Sequence, residues 1–236
     1  MPEIFHSVFT FVVSLLLSLG VYGRTLPAYA STPPHFIQYI SGKHVLGFTS
    51  EGVYVASGDH SLKIDFMESK GVEPTTETPP TSSSLFSQKG TLSLGTVTYK
   101  EVWDGVDIQY VRSISGIAKS TYTLTPINGS VPIHSVKLHY NRPVTLDPQG
   151  NLTIPFDSGS MTESAPIAWQ EKDGERYPVQ VSFLLSQDQT VGFTLGSYLP
   201  DLPITIDPEL TWNTFLGGSG DDYGQSIALD ASAIFL

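Results

Sequence analysis

Polar and apolar residues alternate in steps of two along most of this chain, the period of a half-buried β-strand. In Ser61 to Phe66 the apolar Leu62, Ile64 and Phe66 interleave with Ser61, Lys63 and Asp65. The spacing returns at Val106, Ile108 and Tyr110, at Val136, Leu138 and Tyr140, and at Leu152, Ile154 and Phe156. Farther on it reads Val179, Val181, Phe183 and Leu185, then Val191, Phe193 and Leu195. Turn formers stand between these runs, at Asn128-Gly129, Asp147-Pro148-Gln149-Gly150, Asp173-Gly174 and Gln187-Asp188-Gln189, with intervals that suit antiparallel hairpins. Past the amino-terminal stretch no segment sustains a 3.6-residue apolar period. Single apolar faces of this kind are buried when two sheets pack face to face. The expected fold class is therefore all-β, an antiparallel β-sandwich-like domain.

Two stretches depart from the pattern. Val8 to Val21, VFTFVVSLLLSLGV, is a continuous apolar run, shorter than the roughly 20 residues of a bilayer-spanning helix. Ala28-Tyr29-Ala30 follows as a small-x-small cleavage pattern, so residues 1–30 read as a signal peptide. That predicts a secreted or cell-surface protein with no stable membrane span after cleavage. The second departure, Gly71 to Gly90, is rich in Pro, Thr and Ser, a composition with too little apolar surface to offset its ordering entropy. A loop or linker over 70–90 is expected. It either separates an amino-terminal hairpin unit, 31–69, from a main domain, 91–208, or is a long surface loop within one domain.

Near the end, Ile204 and Ile206 alternate with Thr205 and Asp207 before Pro208, a residue that cannot donate to a ladder. Leu210, Trp212 and Phe215 then supply β-favouring bulk, Gly217, Gly218 and Gly220 with Asp221 and Asp222 a turn, and Ile227 and Leu229 a new alternation. One unit is expected to end at Pro208 and another to begin at 209. The string TWNTFLGGSGDDYGQSIALD resembles the opening of a seven-bladed β-propeller bacterial repeat (SBBP repeat). Upstream, WDGVDIQYV, SAPIAWQEKDGERYPV and LPITIDP are similar to the uncharacterised β-rich domain that precedes such repeats in secreted bacterial proteins. The resemblance extends from about Phe36 to Asp230 and implies a partial β-propeller-type repeat over 209–236, with no activity attached. A lone partial repeat cannot close a propeller, because each blade buries its faces against neighbours. The chain thus reads as a fragment or truncated product.

Charge and composition narrow the partners. With 23 acidic and 12 basic residues the formal charge is −11, which argues against nucleic acid and anionic lipid. The acids are scattered, as suits solvation. Cysteine is absent, which removes disulfides and thiolate chemistry.

Candidate chemistry is sparse. None of the H-E-x-x-H, G-x-S-x-G or G-x-x-x-x-G-K motifs occurs. His134 and His139 are five apart, which on a strand sends them to opposite faces. Asp104 and Asp107 invite comparison with a glycosidase carboxylate pair, but their offset of three again separates them, and Trp103-Asp104-Gly105 reads as a turn. Gly217 to Asp222 fits the first six places of a calcium-binding nonapeptide; Gly224 occupies the place of its large apolar residue and no second copy follows. Asp221 and Asp222 are thus weak calcium candidates, better read as turn-capping carboxylates. Trp103, Trp169 and Trp212 could line a sugar-binding face, although strands also recruit aromatics simply to pack.

The expectation is a non-catalytic scaffold or recognition domain, without cofactor, whose partner would be a surface glycan or protein. Two rivals stand beside it. One is a carbohydrate- or protein-binding adhesin module. The other is an extracellular hydrolase with two close acids in a pocket, at least one of them with a raised pKa.

Overall fold

The computed structural model describes residues 37–77, 95–114 and 116–214, together with two short strands at 228–229 and 234–235. The segment expected as a signal peptide, residues 78–90 of the expected loop, and the turn with Asp221 and Asp222 lie outside the described residues.

The domain is all-β, with every strand pair antiparallel and two large sheets. The seven-stranded sheet runs, in spatial order, β1 (Ile37–Ser41), β2 (His44–Thr49), β3 (Gly52–Ala56), β4 (Ser61–Phe66), β9 (Leu138–Tyr140), β16 (Thr190–Leu195) and β15 (Val181–Leu185). The eleven-stranded sheet is built around β8 (Ala118–Leu124). On one edge β8 carries β7 (Val106–Val111), then β6 (Val97–Trp103) and β5 (Thr75–Thr76). On the other edge it carries two collinear strands, β17 (Ile204–Ile206) and β18 (Glu209–Thr214). To β17 are added β13 (Ala168–Lys172) and β14 (Glu175–Val179). To β18 are added β12 (Gly159–Glu163), β11 (Leu152–Phe156) and β10 (Thr145–Leu146). A separate pair, β19 (Ala228–Leu229) and β20 (Ile234–Phe235), lies farther along the chain. Among the described residues the strands close into neither a barrel nor a propeller.

The inner faces of the two sheets meet in one core. Phe48 of β2 packs on Tyr110 of β7 at 5.4 Å between ring centroids, Phe66 of β4 on Tyr99 of β6 at 5.2 Å, and Tyr122 of β8 on Phe193 of β16 at 5.2 Å. Each such ring withdrawn from water stabilises the fold by about 1.5–3 kcal/mol. Their polar ends stay bonded, as burial requires: the Tyr99 hydroxyl donates to the Thr49 carbonyl (2.9 Å), and Trp103 Nε1 donates to the Met67 carbonyl (2.9 Å). The sandwich-like class expected from the alternation describes this arrangement.

The amino-terminal strands share a sheet with the body: Ile64, Asp65 and Phe66 pair with Tyr140, His139 and Leu138. Residues 37–66 therefore do not stand apart as a hairpin unit but share a sheet with Leu138–Tyr140. The boundary expected at Pro208 is corrected as well. The strand continues in register through it, with Ile206 opposite Tyr122 and Glu209 opposite Lys119. Pro208 lacks an N–H, but its carbonyl still accepts from the Ser120 amide (3.2 Å), so the ladder loses one donor and keeps its direction. Glu209–Thr214 is thus an interior strand of this sheet, flanked by β8 and β12.

Candidate functional site

The densest grouping of titratable and aromatic side chains closes one end of the space between the sheets. The β1–β2 turn, with Gly42 in the left-handed region at φ 60, sets His44 opposite Ser41. The β3–β4 turn, closed by the Ser57 amide donating to the His60 carbonyl (2.9 Å), turns His60 inward. The two imidazoles meet Nε2 to Nε2 at 2.9 Å. On its other side the His60 Nδ1–H donates to Asp59 Oδ1 (2.7 Å), and the Ser57 hydroxyl donates to the same oxygen (2.7 Å). The far sheet supplies the lid: Trp212 stacks on His60 at 3.7 Å with planes 12° apart, and Phe156 meets both His60 (5.3 Å) and Trp212 (5.7 Å). Arg142 lies over the Phe156 ring at 5.1 Å.

The electrostatics follow from this placement. Burial first, and then the neighbouring His60, push the His44 imidazole down to about 4 while Asp59 pulls the other way. Hydrogen bonds from the Ser57 and Ser158 hydroxyls and from His60 hold the exposed Asp59 carboxyl down at about 2. Asp59, His60 and His44 therefore form a carboxylate–imidazole–imidazole line with one proton between the rings. Ser57 does not complete a hydrolytic triad. Its Oγ lies 2.9 Å from His60 Nδ1 and 3.3 Å from Nε2, but Asp59 holds the first nitrogen and His44 the second, so neither is free to take the Ser57 proton as a triad requires.

A second polar group is buried at mid-sheet. Glu163, at the end of β12, shares the inward parity of Met161 and points into the core. The Tyr140 hydroxyl donates to its Oε2 (2.5 Å). Burial pushes the carboxyl up to about 7, against the pull of that bond. Tyr110 and Tyr122, hydrogen-bonded to each other, are raised by burial. Between these groups lies a cavity of about 20 Å³ lined by Glu163, Tyr110, Tyr122 and Ser120 with Leu46 and Leu210 among the apolar walls. That is room for a single water. Glu163 is the one acid in this lining, so the cavity does not hold the acid pair a hydrolase reading requires.

The remaining sequence candidates fall elsewhere. Trp103 is buried in the core beside Phe66. Trp169 lies on the outer face of β13 with the Arg176 guanidinium 4.5 Å over its ring, and Trp212 faces inward over His60. The three do not make one aromatic surface. Asp104, in the β6–β7 turn, pairs with Lys70 (2.6 Å), and Asp107 pairs with Lys100 (2.6 Å). His134 sits in a short 3-10 turn, Ile133–Ser135, rather than on a strand, while His139 is on β9 opposite Asp65 and Thr190. Among the described residues no group of three or more His, Asp or Glu is placed to hold a metal ion, and no helix is long and apolar enough to cross a membrane.

The outer face of the eleven-stranded sheet carries a feature the sequence reading missed. Thr145, Thr153, Thr162 and Thr211 stand directly opposite one another across β10, β11, β12 and β18. A second row runs Thr121, Gln109, Thr98 and Thr75 across β8, β7, β6 and β5. A third joins Trp169, Thr205 and Thr123. Only the pairing register aligns these residues, which is why scanning the chain does not find them.

A family model described as a domain of unknown function (DUF7948) matches residues 57–209. No curated protein and no solved structure matches the chain.

Proposed function

The chain belongs to the DUF7948 family, a domain of unknown function, and we propose that it is a non-catalytic recognition domain of a secreted or cell-surface protein, standing ahead of SBBP-type repeats. One observation carries the reading. Among the described residues, the acid and base groups withdrawn from solvent, Glu163, His44, His60 and Asp207, are bonded to Tyr140, to each other, to Asp59 and to Lys119, and the cavity beside Glu163 admits one water. Groups so engaged hold the sheets together and leave recognition to the outer surface. Export is supported by the apolar run Val8 to Val21 with Ala28-Tyr29-Ala30 after it. The strings at Thr211 to Asp230 support the neighbouring repeats.

The test is a binding survey of the full chain on glycan and surface-protein arrays, run beside a panel of chromogenic glycoside and ester substrates. Saturable binding without turnover is expected. Turnover abolished by Glu163→Gln would reverse the assignment.

A further inference from the structure

We propose that the threonine-lined outer face of the eleven-stranded sheet is a docking surface for an uncharged polysaccharide. The proposal rests on the recognition reading above and names the surface and the class of partner. Strands lie about 4.8 Å apart, so Thr145, Thr153, Thr162 and Thr211 place four hydroxyls and four methyls along about 14 Å of sheet. Their partners across the ladders are one another. Each threonine carries a hydroxyl and an apolar methyl; the Thr211 hydroxyl donates to the Thr162 carbonyl (3.2 Å) and the Thr162 hydroxyl accepts from the Asn213 amide (3.4 Å), which fixes both while leaving lone pairs outward. A sugar chain presents the same alternation of hydroxyl and C–H edges. Trp169, at the opposite side of this face, adds an indole with the Arg176 guanidinium 4.5 Å over one side of its ring; rings of this kind stack on the apolar side of a sugar.

Charge selects among partners. The protein carries a formal −11, yet several charged side chains among these rows are paired in place, and Glu209, opposite Lys119, accepts a hydrogen bond from the Ser113 hydroxyl. Lys119 pairs with Asp207 (2.7 Å), Lys100 with Asp107 (2.6 Å) and Arg176 with Glu171 (3.1 Å). A face whose charges are largely paired suits a neutral polymer and offers little handle to polyanions or anionic lipid. A protein partner would need a desolvated apolar centre, and the middle of this face, on β8, carries Thr121, Thr123 and the Lys119–Asp207 pair. β-Propensity alone accounts for threonine on strands, but it neither aligns four of them in one row nor pairs off the charges around them.

The experiment is a sedimentation assay of the full chain with insoluble cellulose, chitin and β-1,3-glucan, with polygalacturonate as the charged control. Binding to at least one neutral polymer is expected, unaffected by added salt. Thr162→Glu and, separately, Trp169→Ala should each lower the affinity about tenfold or more, with the melting temperature held within a few degrees. Should Thr162→Glu disturb folding, the double change Thr153→Ala with Thr162→Ala provides the reading. Failure to bind any neutral polymer, binding indifferent to all these substitutions, or self-association through this face would each overturn the proposal. If the arrays reveal a ligand whose binding these variants leave intact, the face is wrong and the recognition reading survives. If they reveal none, both fall.

Discussion

His44 and His60 face each other nitrogen to nitrogen at 2.9 Å, a separation at which one ring must donate and the other accept. The contact holds with zero or one positive charge on the pair and fails with two. Since burial and His60 push His44 down to about 4 from its ordinary 6.5, the unfolded chain binds more protons than the folded one between those values. His44 therefore contributes stability that is fully present above about pH 6.5 and is lost as the pH falls toward 4. In a Glu163→Gln background, where the opposing titration of Glu163 is absent, thermal melts across that range should show a falling Tm, and adding His44→Gln, which does not titrate, should flatten that part of the curve. An identical slope in the variant would remove His44 as the cause.

Glu163 acts with the opposite sign. Its folded-state value, raised to about 7 from 4.5, means that the folded protein holds the proton more tightly. The stability tied to the neutral acid is complete below about pH 4.5 and is lost as the pH rises through 7. Glu163→Gln keeps an acceptor for the Tyr140 hydroxyl and cannot ionise. We expect it to match the parent protein near pH 5 and to melt higher at pH 8. A variant that melts lower at both pH values would show that the carboxyl is needed in its charged form.

Trp212 joins the two sheets through His60 and Phe156. Trp212→Ala should cost about 3 kcal/mol, the lower end of the range for removing a large aromatic from a core, since the ring is only partly buried. It should also readmit water to the imidazoles, so that His44 titrates closer to 6.5. Chemical denaturation gives the first quantity and NMR titration of the histidines the second; an unmoved titration would mean that Trp212 does not shield them.

Gly52 and Gly42 separate two reasons for a glycine. A Cβ on Gly52 would come within 2.1 Å of the Ile64 carbonyl oxygen, a backbone atom that cannot step aside. Gly42 has no heavy atom within 4 Å of that position but lies at φ +60. Gly52→Ala should therefore cost about 3 kcal/mol through overpacking, and Gly42→Ala about 1 kcal/mol through backbone strain. Equal costs in urea denaturation would contradict this division.

Much of the fold was legible because alternation reports which face a residue takes. Leu62, Ile64 and Phe66 are buried as their spacing requires, as are Leu152, Ile154 and Phe156. Alternation is blind to which sheet a strand joins. Val179 to Leu185 reads as one strand, yet β14 belongs to the eleven-stranded sheet and β15 to the seven-stranded one. The chain crosses between them at Gln180, and a one-residue crossing leaves the parity of Val179, Val181 and Phe183 untouched. Pro208 misled for a related reason: a missing donor weakens one rung, and sequence alone does not show that the next residues resume the register. Of the site residues, Glu163 was findable from its parity with Met161. His44 and His60 were not, because Trp212, which covers them, comes from the far end of the domain. The threonine rows depend on pairing partners, which no local pattern specifies.

The segment from Ile204 to Thr214 has a consequence for synthesis. Without it the larger sheet falls into three pieces: β10 to β12, the β13–β14 hairpin, and β5 to β8. A nascent chain lacking those eleven residues leaves the edges of β8, β12 and β13 open, and such edges invite pairing with other chains. The domain therefore completes itself only once Thr214 has left the ribosome, and until then its larger sheet is held in separate pieces with their edges unpaired.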